Sequence, residues 1–314
     1  MPTGDETPYV PAGYFAGGND GADISGIDKI TFSADTKSTL SATLSSARTQ
    51  LAGMANSGVA GYFGGGQDSG GLLSGIDKIT FGGDTKSTLS ATLSSARRFM
   101  AAMANSGTAG YFGGGETVGD IFLSGIDKIT FSDDTKSTLS ATLTSAREMF
   151  AAMANSGTAG YFGGGMTSAY TNLSGIDKIT FSTDTKSTLS ATLTTARRLL
   201  AAMANSGVAG YFGGGEDSAK LSEIDKITFS ADTKSTLSVY LSTARRWLAG
   251  MANSGTAGYF GGGQDSGGNL SGIDKITFSA DTKSTLSATL TSARSAWLVW
   301  LTAGFCDAGY YSTR

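Results

Sequence analysis

The chain has 314 residues, with 46 Gly, one Cys and no His, and its formal net charge is −3. One Cys excludes a disulfide framework within the chain, and the lack of His excludes His-dependent catalysis and zinc sites built from Cys and His. The balance of 23 basic against 26 acidic residues indicates no basic surface for nucleic acid. A hydrophobic content of 39 % argues against disorder.

The N-terminal residues carry no basic segment followed by an apolar one, so the sequence predicts no secretory signal. The longest apolar run, 296–305, is far shorter than the ~20 residues that a membrane helix needs. We therefore expect no membrane insertion. No cofactor or metal is expected either, because the repeated Asp-Thr-Lys turns supply one carboxylate each, which is too few for a calcium loop.

An internal repeat dominates the sequence. The phrase Gly-Tyr-Phe recurs every 48 to 50 residues, each unit contains Ile-Asp-Lys-Ile-Thr-Phe, and a single Arg closes each unit. This period is typical of a propeller blade. The six units begin at Gly13, Gly61, Gly110, Gly160, Gly210 and Gly258.

The residues of each unit predict four strands. In the unit that begins at Gly61, Tyr62-Phe63 and the β-branched Ile76–Phe81 are typical of strands. Asp84-Thr85-Lys86 indicates a turn, and Thr88–Ser94 alternates apolar and polar residues like a half-exposed outer strand. The apolar run Phe99–Ala104 predicts the inner strand of the next blade, ahead of the turn Asn105-Ser106-Gly107.

One alternative concerns the stretch Ser90–Met103, whose Ala and Met content also permits a helix. The Ser and Thr residues in its first half favour strand. The fold class predicted is therefore all-β, a six-bladed β-propeller of four-stranded blades. We expect an N-terminal tail over 1–12 and a single propeller over 13–314. A C-terminal inner strand within 295–305 should close the ring against the first unit.

The order of these residues resembles the kelch repeat. An Arg precedes an Ala-rich strand, a turn and then an aromatic pair followed by glycines. The residues that carry the resemblance in one unit are Arg97, Ala101-Ala102, Asn105-Ser106-Gly107 and Tyr111-Phe112-Gly113-Gly114. The usual outer-strand Trp is absent, and the repeated phrases are more similar to the kelch-like propellers of bacteriophages and cyanobacteria.

The resemblance implies a non-enzymatic binding or structural module, because kelch-like propellers mostly serve as binding platforms. The copper enzymes of this group need His, which the chain lacks. We expect a phage virion component, such as a tail, fibre or capsid appendage protein, made in the host cytoplasm. Its partners would be other virion or surface proteins, as in host attachment. The alternatives are a lectin-like propeller that binds glycans, a hydrolase or lyase of unknown type, and a cytoplasmic location.

Two regions differ between units: the stretch after each triple Gly and the pair after each closing Arg. Because antiparallel strands alternate in direction, both regions are expected on one side of the ring, here named the variable face. The third and fourth units carry its longest and most apolar loops, so partner contact is predicted there. The alternative is that Ile121–Leu123 folds back as an early third strand. The candidate contact residues are Val118, Phe122, Met166, Tyr170, Arg98, Glu116, Arg246 and Trp247.

The repeated Asp-Lys pair predicts a ring of ion pairs between blades. On a strand the two side chains point to opposite faces, so Lys78 is expected to meet Asp127 or Asp28 of a neighbouring blade. The alternative is that both charges are solvated. The residues of the predicted ring are Asp28, Lys29, Asp77, Lys78, Asp127, Lys128, Asp177, Lys178, Asp225, Lys226, Asp274 and Lys275.

Overall fold

The structure is a computed structural model that describes residues 11–295 and the backbone of the strand 299–303. Six antiparallel sheets of four strands form a ring around a central axis, which confirms the predicted six-bladed β-propeller. Most of the predicted tail, residues 1–10, lies outside the described residues. Within the described residues, no helix is long and apolar enough to cross a membrane.

The strands of each blade are named inner, second, third and outer, from the axis to the circumference. The inner strands are Val299–Ala303 in blade 1 and then Ala52–Asn56, Ala101–Asn105, Ala151–Asn155, Ala201–Asn205 and Ala249–Asn253. The second strands are Ala12–Ala16, Ala60–Gly64, Ala109–Gly113, Ala159–Gly163, Ala209–Gly213 and Ala257–Gly261. The third strands are Ile27–Thr31, Ile76–Thr80, Ile126–Thr130, Ile176–Thr180, Ile224–Thr228 and Ile273–Thr277. The outer strands are Thr36–Thr39, Thr85–Thr88, Thr135–Thr138, Thr185–Thr188, Thr233–Thr236 and Thr282–Thr285. Two-residue strands also form small hairpins after three of the second strands: Gln67–Asp68 with Gly71–Leu72, Glu116–Thr117 with Ile121–Phe122, and Gln264–Asp265 with Gly268–Asn269.

The second strand forms the core of each blade, and all five of its residues are buried. Its aromatic rings pack against the next blade, as Tyr62 does on Phe131 with ring centroids 5.0 Å apart. Its first Gly admits the inner-strand Met of the preceding blade. A Cβ atom on Gly110 would lie 2.1 Å from the sulfur of Met54. Glycine at this position therefore sets how closely the blades approach.

The outer strand differs from the sequence prediction. It runs Thr85–Thr88 rather than Thr88–Ser94, and 89–100 is irregular instead of strand or helix. The turn ends at Asp84, which has a φ of 49°, so Thr85 and Lys86 are already strand residues. The reversal is tight, and Thr80 therefore pairs with Thr85. The apolar Leu93 packs inward from the irregular segment, which explains its alternating pattern.

The inner strand begins later than predicted, at Ala101 instead of Phe99. Phe99 has a φ of 56° and belongs to the linker between blades. The Asn105-Ser106-Gly107 hairpin turn is as expected, since Ala101–Asn105 pairs antiparallel with Ala109–Gly113.

The ring closes through the C-terminal strand, which the sequence predicts within 295–305 and the structure places at Val299–Ala303. This strand pairs antiparallel with Ala12–Ala16, so the first blade is built from both ends of the ring. The second strand of blade 1 thereby gains a partner at each edge, which removes an exposed edge. The sequence also predicts that this strand buries Trp297, Leu298 and Trp300, but their side chains lie outside the described residues, so this stays a prediction.

The closing Arg of each unit is buried and holds the next blade. The guanidinium of Arg97 donates to Asp127 at 2.8 Å and to the carbonyl oxygen of Phe112 at 3.3 Å. Asp127 also accepts hydrogen bonds from the backbone and hydroxyl of Ser94 and from the hydroxyl of Thr138. Burial alone would raise the pKa of the Asp127 carboxyl, but these bonds and the charge of Arg97 outweigh it and lower that pKa. The same pairing recurs as Arg48–Asp77, Arg147–Asp177, Arg197–Asp225, Arg245–Asp274 and Arg294–Asp28.

The Lys of the third strand does pair across the blade boundary, but its partner differs from the prediction. Lys78 donates to Asp134 at 2.7 Å, and the Tyr62 hydroxyl donates to the other oxygen of that carboxylate at 2.8 Å. Asp127, the expected partner, pairs with Arg97 instead. Asp134 ends a tight turn, with a φ of 56°, and its carboxylate meets the preceding blade. The other pairs of this kind are Lys29–Asp84, Lys128–Asp184, Lys178–Asp232, Lys226–Asp281 and Lys275–Asp35.

Candidate functional site

The two variable regions meet on one side of the ring, as the sequence predicts. The residue after each closing Arg forms an antiparallel bridge with the residue that follows a triple Gly, or that follows Ala16-Gly17-Gly18 in blade 1. Arg98, for example, pairs with Glu116. Side chains that differ between units are therefore brought together just before the inner strand of each blade. The bridged positions, here named the polar belt, are Thr49 with Gln67, Arg98 with Glu116, Glu148 with Met166, Arg198 with Glu216, Arg246 with Gln264, and Ser295 with Asn19.

Beside the polar belt, the linkers between blades are joined by a chain of backbone hydrogen bonds. The N–H of Phe99 donates to the carbonyl of Gln50 at 3.0 Å, and the N–H of Met149 donates to the carbonyl of Phe99 at 3.0 Å. Leu199 and Trp247 continue the series around the axis. All five residues have φ between 52° and 61°, a conformation that a non-glycine residue adopts only when its surroundings hold it. The linkers, which form the rim of the variable face around the axis, are therefore held in place by hydrogen bonds to one another.

Three arginines of the polar belt, Arg98, Arg198 and Arg246, each contact two neighbouring blades. Arg98 donates to Gln67 of the preceding blade at 2.5 Å and to Glu116 of its own blade at 3.0 Å. Arg246 spans Glu216 and Gln264 in the same way, at 2.5 and 2.9 Å. These guanidiniums are about one quarter exposed. They are occupied by partners within the ring, so the predicted contact residues Arg98, Glu116 and Arg246 hold blades together.

Trp247, also a predicted contact residue, packs under Arg246. The guanidinium carbon lies 4.0 Å from the centroid of the Trp247 ring, which is half-buried. A cation over an indole face is attracted by the ring quadrupole. The pair therefore forms a rigid part of the rim.

Glu148 and Glu116 are the unusual members of the polar belt. Glu148 is 2 % exposed and Glu116 is 4 % exposed. Burial, together with a hydrogen bond to Glu116 and the charge of that residue, raises the pKa of Glu148 to about 9. For Glu116, burial acts in the same direction, but hydrogen bonds from Glu148 and Arg98 outweigh it and lower its pKa. Two carboxyl groups in contact at a buried site share a proton. The sequence prediction named Glu116 but missed Glu148, because only the fold brings the two together.

Exposed apolar side chains are concentrated on the loops of blades 3 and 4. Val118 and Tyr170 are each 76 % exposed, and Ile121 is 60 % exposed. The loop tips are ordered turns, since Asp120 and Tyr170 have φ of 58° and 57° and the N–H of Tyr170 donates to the carbonyl of Thr167. The corresponding hairpins of blades 2 and 6 carry Gly and Asp at their tips. Exposed apolar side chains that lie close together are typical of interaction surfaces in proteins.

Of the predicted anchors, Met166 is not available at that surface and Phe122 is only partly exposed. Met166 is 3 % exposed, because it is bridged to both Glu148 and Asn172 and its sulfur contacts Arg198. Phe122 is half-buried, because it pairs with Glu116 in a two-stranded hairpin. This hairpin is separate from the third strand, so the alternative of an early third strand also fails. Val118 and Tyr170 are exposed as the prediction requires, and Ile121, which the prediction did not include, is exposed beside them.

An axial cavity of about 630 Å³ lies between the inner strands. Small residues such as Gly53, Ala102 and Ala152 line it, together with Ser106 and Ser156 at the end opposite the variable face. The backbone N–H of Ser106 donates to the hydroxyl of Ser156 at 3.0 Å. The hydroxyls thus link neighbouring blades at one end of the axis.

No protein family and no curated protein matches this chain. The class of protein is therefore defined by the fold alone, as a six-bladed β-propeller.

Proposed function

We propose that the protein is a non-enzymatic binding module that contacts a partner protein through the loops of blades 3 and 4. The observation that carries this proposal is the pairing of Val118 and Ile121 on one loop with Tyr170 on the next, all three mostly exposed. Exposed aromatic and aliphatic side chains on ordered loops supply apolar area at low entropic cost. The polar belt beneath them supplies the rigid support.

A structural role in a phage virion is the specific form of this proposal. It is supported by the kelch-like order of Arg97, Asn105-Ser106-Gly107 and Tyr111-Phe112 and by its similarity to phage-encoded propellers. A ring joined by repeated ion pairs and buried arginines also suits a component that must stay folded outside a cell. If the proposal holds, the chain sediments with particles purified from its native source.

The contact surface is tested by a double substitution, Val118→Ser with Tyr170→Ser. The matched control is Val59→Ser with Val208→Ser, because these valines are 52 % and 53 % exposed on turns of the opposite face. Wild type and both variants are used to capture partners from the native source, and the binding of the captured partner is then measured. We expect the first variant to weaken binding by about 1–3 kcal/mol per anchor, with an unchanged melting temperature.

The control should bind like the wild type. Loss of binding in the control alone would place the contact on the opposite face. Retained binding in both variants would contradict the proposed surface. Binding of a glycan in place of a protein, abolished by Tyr170→Ser, would favour the lectin alternative.

A further inference from the structure

The junction between blades 3 and 4 breaks the charge pattern of the polar belt. At the neighbouring junctions an arginine follows the closing Arg and spans two blades, as Arg98 and Arg198 do. At this junction the position is occupied by Glu148, which faces the acidic Glu116 of blade 3. The arginine that follows the closing Arg at those junctions is therefore replaced by a carboxyl group at this one.

The contact is buried and only partly satisfied. One carboxyl oxygen of Glu148, Oε2, has no hydrogen-bond partner within the described part of the chain. The charged groups around the pair are Arg98, which lies 3.0 Å from Glu116, Arg198 beyond Glu148, and Asp120 against Glu116. The adjacent Arg147 is engaged by Asp177. Two buried carboxylates in contact repel each other unless one holds a proton.

The same junction anchors both exposed loops. Glu116 begins the hairpin that carries Val118 and Ile121, and Met166, bridged to Glu148, begins the loop that carries Tyr170. The two acids therefore lie at the bases of the two exposed loops. The other hairpins are attached at junctions that lack an acid pair.

We propose that Glu116 and Glu148 form a proton-operated seam that regulates the contact surface of blades 3 and 4. This inference rests on the proposed function for the importance of that surface. With its proton, the Glu148 carboxyl donates to the Glu116 carboxylate and the seam is closed. When Glu148 loses that proton to solvent, two buried negative charges remain, and the seam opens.

The direction of the pH effect follows from the two states of Glu148. Its carboxyl titrates near 4.5 in an ordinary environment and has a pKa of about 9 in the folded protein. Between these values the folded chain holds a proton that the unfolded chain releases, so rising pH lowers stability. The seam is closed at neutral pH and opens in alkaline solution.

The test is a pH titration of the whole protein and of Glu148→Gln, which keeps the shape and mimics the neutral acid. Isotope-labelled glutamate and the methyl groups of Val118 and Ile121 are followed by NMR between about pH 5 and about pH 10. In the wild type, one carboxyl and the loop methyls should titrate together, with a midpoint near 9. In Glu148→Gln both transitions should disappear. Glu223→Gln, which removes a half-exposed acid beside Arg197, is the matched control and should keep both.

A second variant, Glu116→Gln, guards against misfolding of the first. Removing the neighbouring charge should shift the midpoint of Glu148 toward lower pH. A Glu148 carboxyl that titrates near 4.5 in the wild type would overturn the seam. Loop methyls that stay unchanged while Glu148 titrates would overturn its regulatory role. Neither outcome bears on partner capture by Val118 and Tyr170, so the failure of the seam and the failure of the proposed function are distinguishable.

Discussion

At the scale of single residues, Arg97 and Lys78 both tie blade 2 to blade 3 through an Asp, in different surroundings. Arg97 and Asp127 are at most 2 % exposed, whereas Lys78 and Asp134 are 21 % and 31 % exposed. Loss of one member of a buried pair leaves a charge without compensation. An exposed pair is screened by water and stabilises little.

We therefore predict that Asp127→Asn lowers the free energy of unfolding by about 3–5 kcal/mol. Asp134→Asn should lower it by about 0–1 kcal/mol, since Asn tolerates the positive φ of that turn. Urea denaturation at neutral pH measures both. Equal losses in the two variants would mean that burial does not separate the two kinds of pair.

The glycines of the second strand give another prediction at the residue scale. Gly110→Ala places a methyl group against the sulfur of Met54 and should destabilise the fold by about 1–3 kcal/mol through overpacking. Gly125→Ala is the control, because a Cβ there meets nothing within 4 Å. A double-mutant cycle with Met54→Ala should reveal coupling between positions 54 and 110. Additive effects of the two substitutions would show that Met54 can move away from the added methyl group, and would contradict overpacking at this contact.

At the scale of elements, the closing strand should dominate the stability of the ring. Truncation after Arg294 removes the strand 299–303 and leaves the buried residues of Ala12–Ala16 with an unpaired edge. We predict a lower urea midpoint and faster amide exchange in Ala12–Ala16 and Ile27–Thr31. Exchange in Ala159–Gly163, on the opposite side of the ring, is the internal control. An unchanged midpoint would contradict closure by this strand.

The sequence predicts some elements better than others, for physical reasons. The third strand is identified by its β-branched residues and the second by its aromatic pair between glycines. The sequence places the outer strand too late in the chain. The alternation of Leu89 and Leu93, which is typical of a strand, belongs to an irregular segment whose leucines pack inward. The sequence does not predict the partners of Lys78 and Glu148, because each partner lies in a neighbouring blade. Of the candidate contact residues, Val118 and Tyr170 are exposed as their loop position predicts, whereas the burial of Met166 depends on its bridge partners.

At the scale of the whole molecule, the repeated aspartates predict how the ring responds to acid. Burial opposes the ionisation of Asp28, Asp77, Asp127, Asp177 and Asp274, but hydrogen bonds and the paired arginines lower their pKa values below 3.8. Their contribution to stability is present above that value and is lost as the pH falls through the folded pKa values. Since five of the six blades contain such a carboxylate, we expect cooperative acid unfolding with uptake of several protons.

Melting temperatures measured from neutral to strongly acidic pH test this expectation. As the pH falls from neutral, the melting temperature of the wild type should not decrease until the pH approaches 3.8, and it should then decrease steeply. Asp127→Asn should show a lower melting temperature at neutral pH and a shallower acid transition, because one titrating group is gone. A gradual decline beginning near neutral pH would point to other groups.

The pairing of Val299–Ala303 with Ala12–Ala16 also has a consequence for synthesis on the ribosome. Blades 2 to 6 are each built from consecutive strands, so each can form as soon as its own segment has emerged. Blade 1 waits, because its inner strand is translated after all the others. During that interval the nascent chain presents the apolar edge of Ala12–Ala16 to solvent. The moment of greatest aggregation risk thus falls late in translation, and a pause shortly before codon 299 would prolong it.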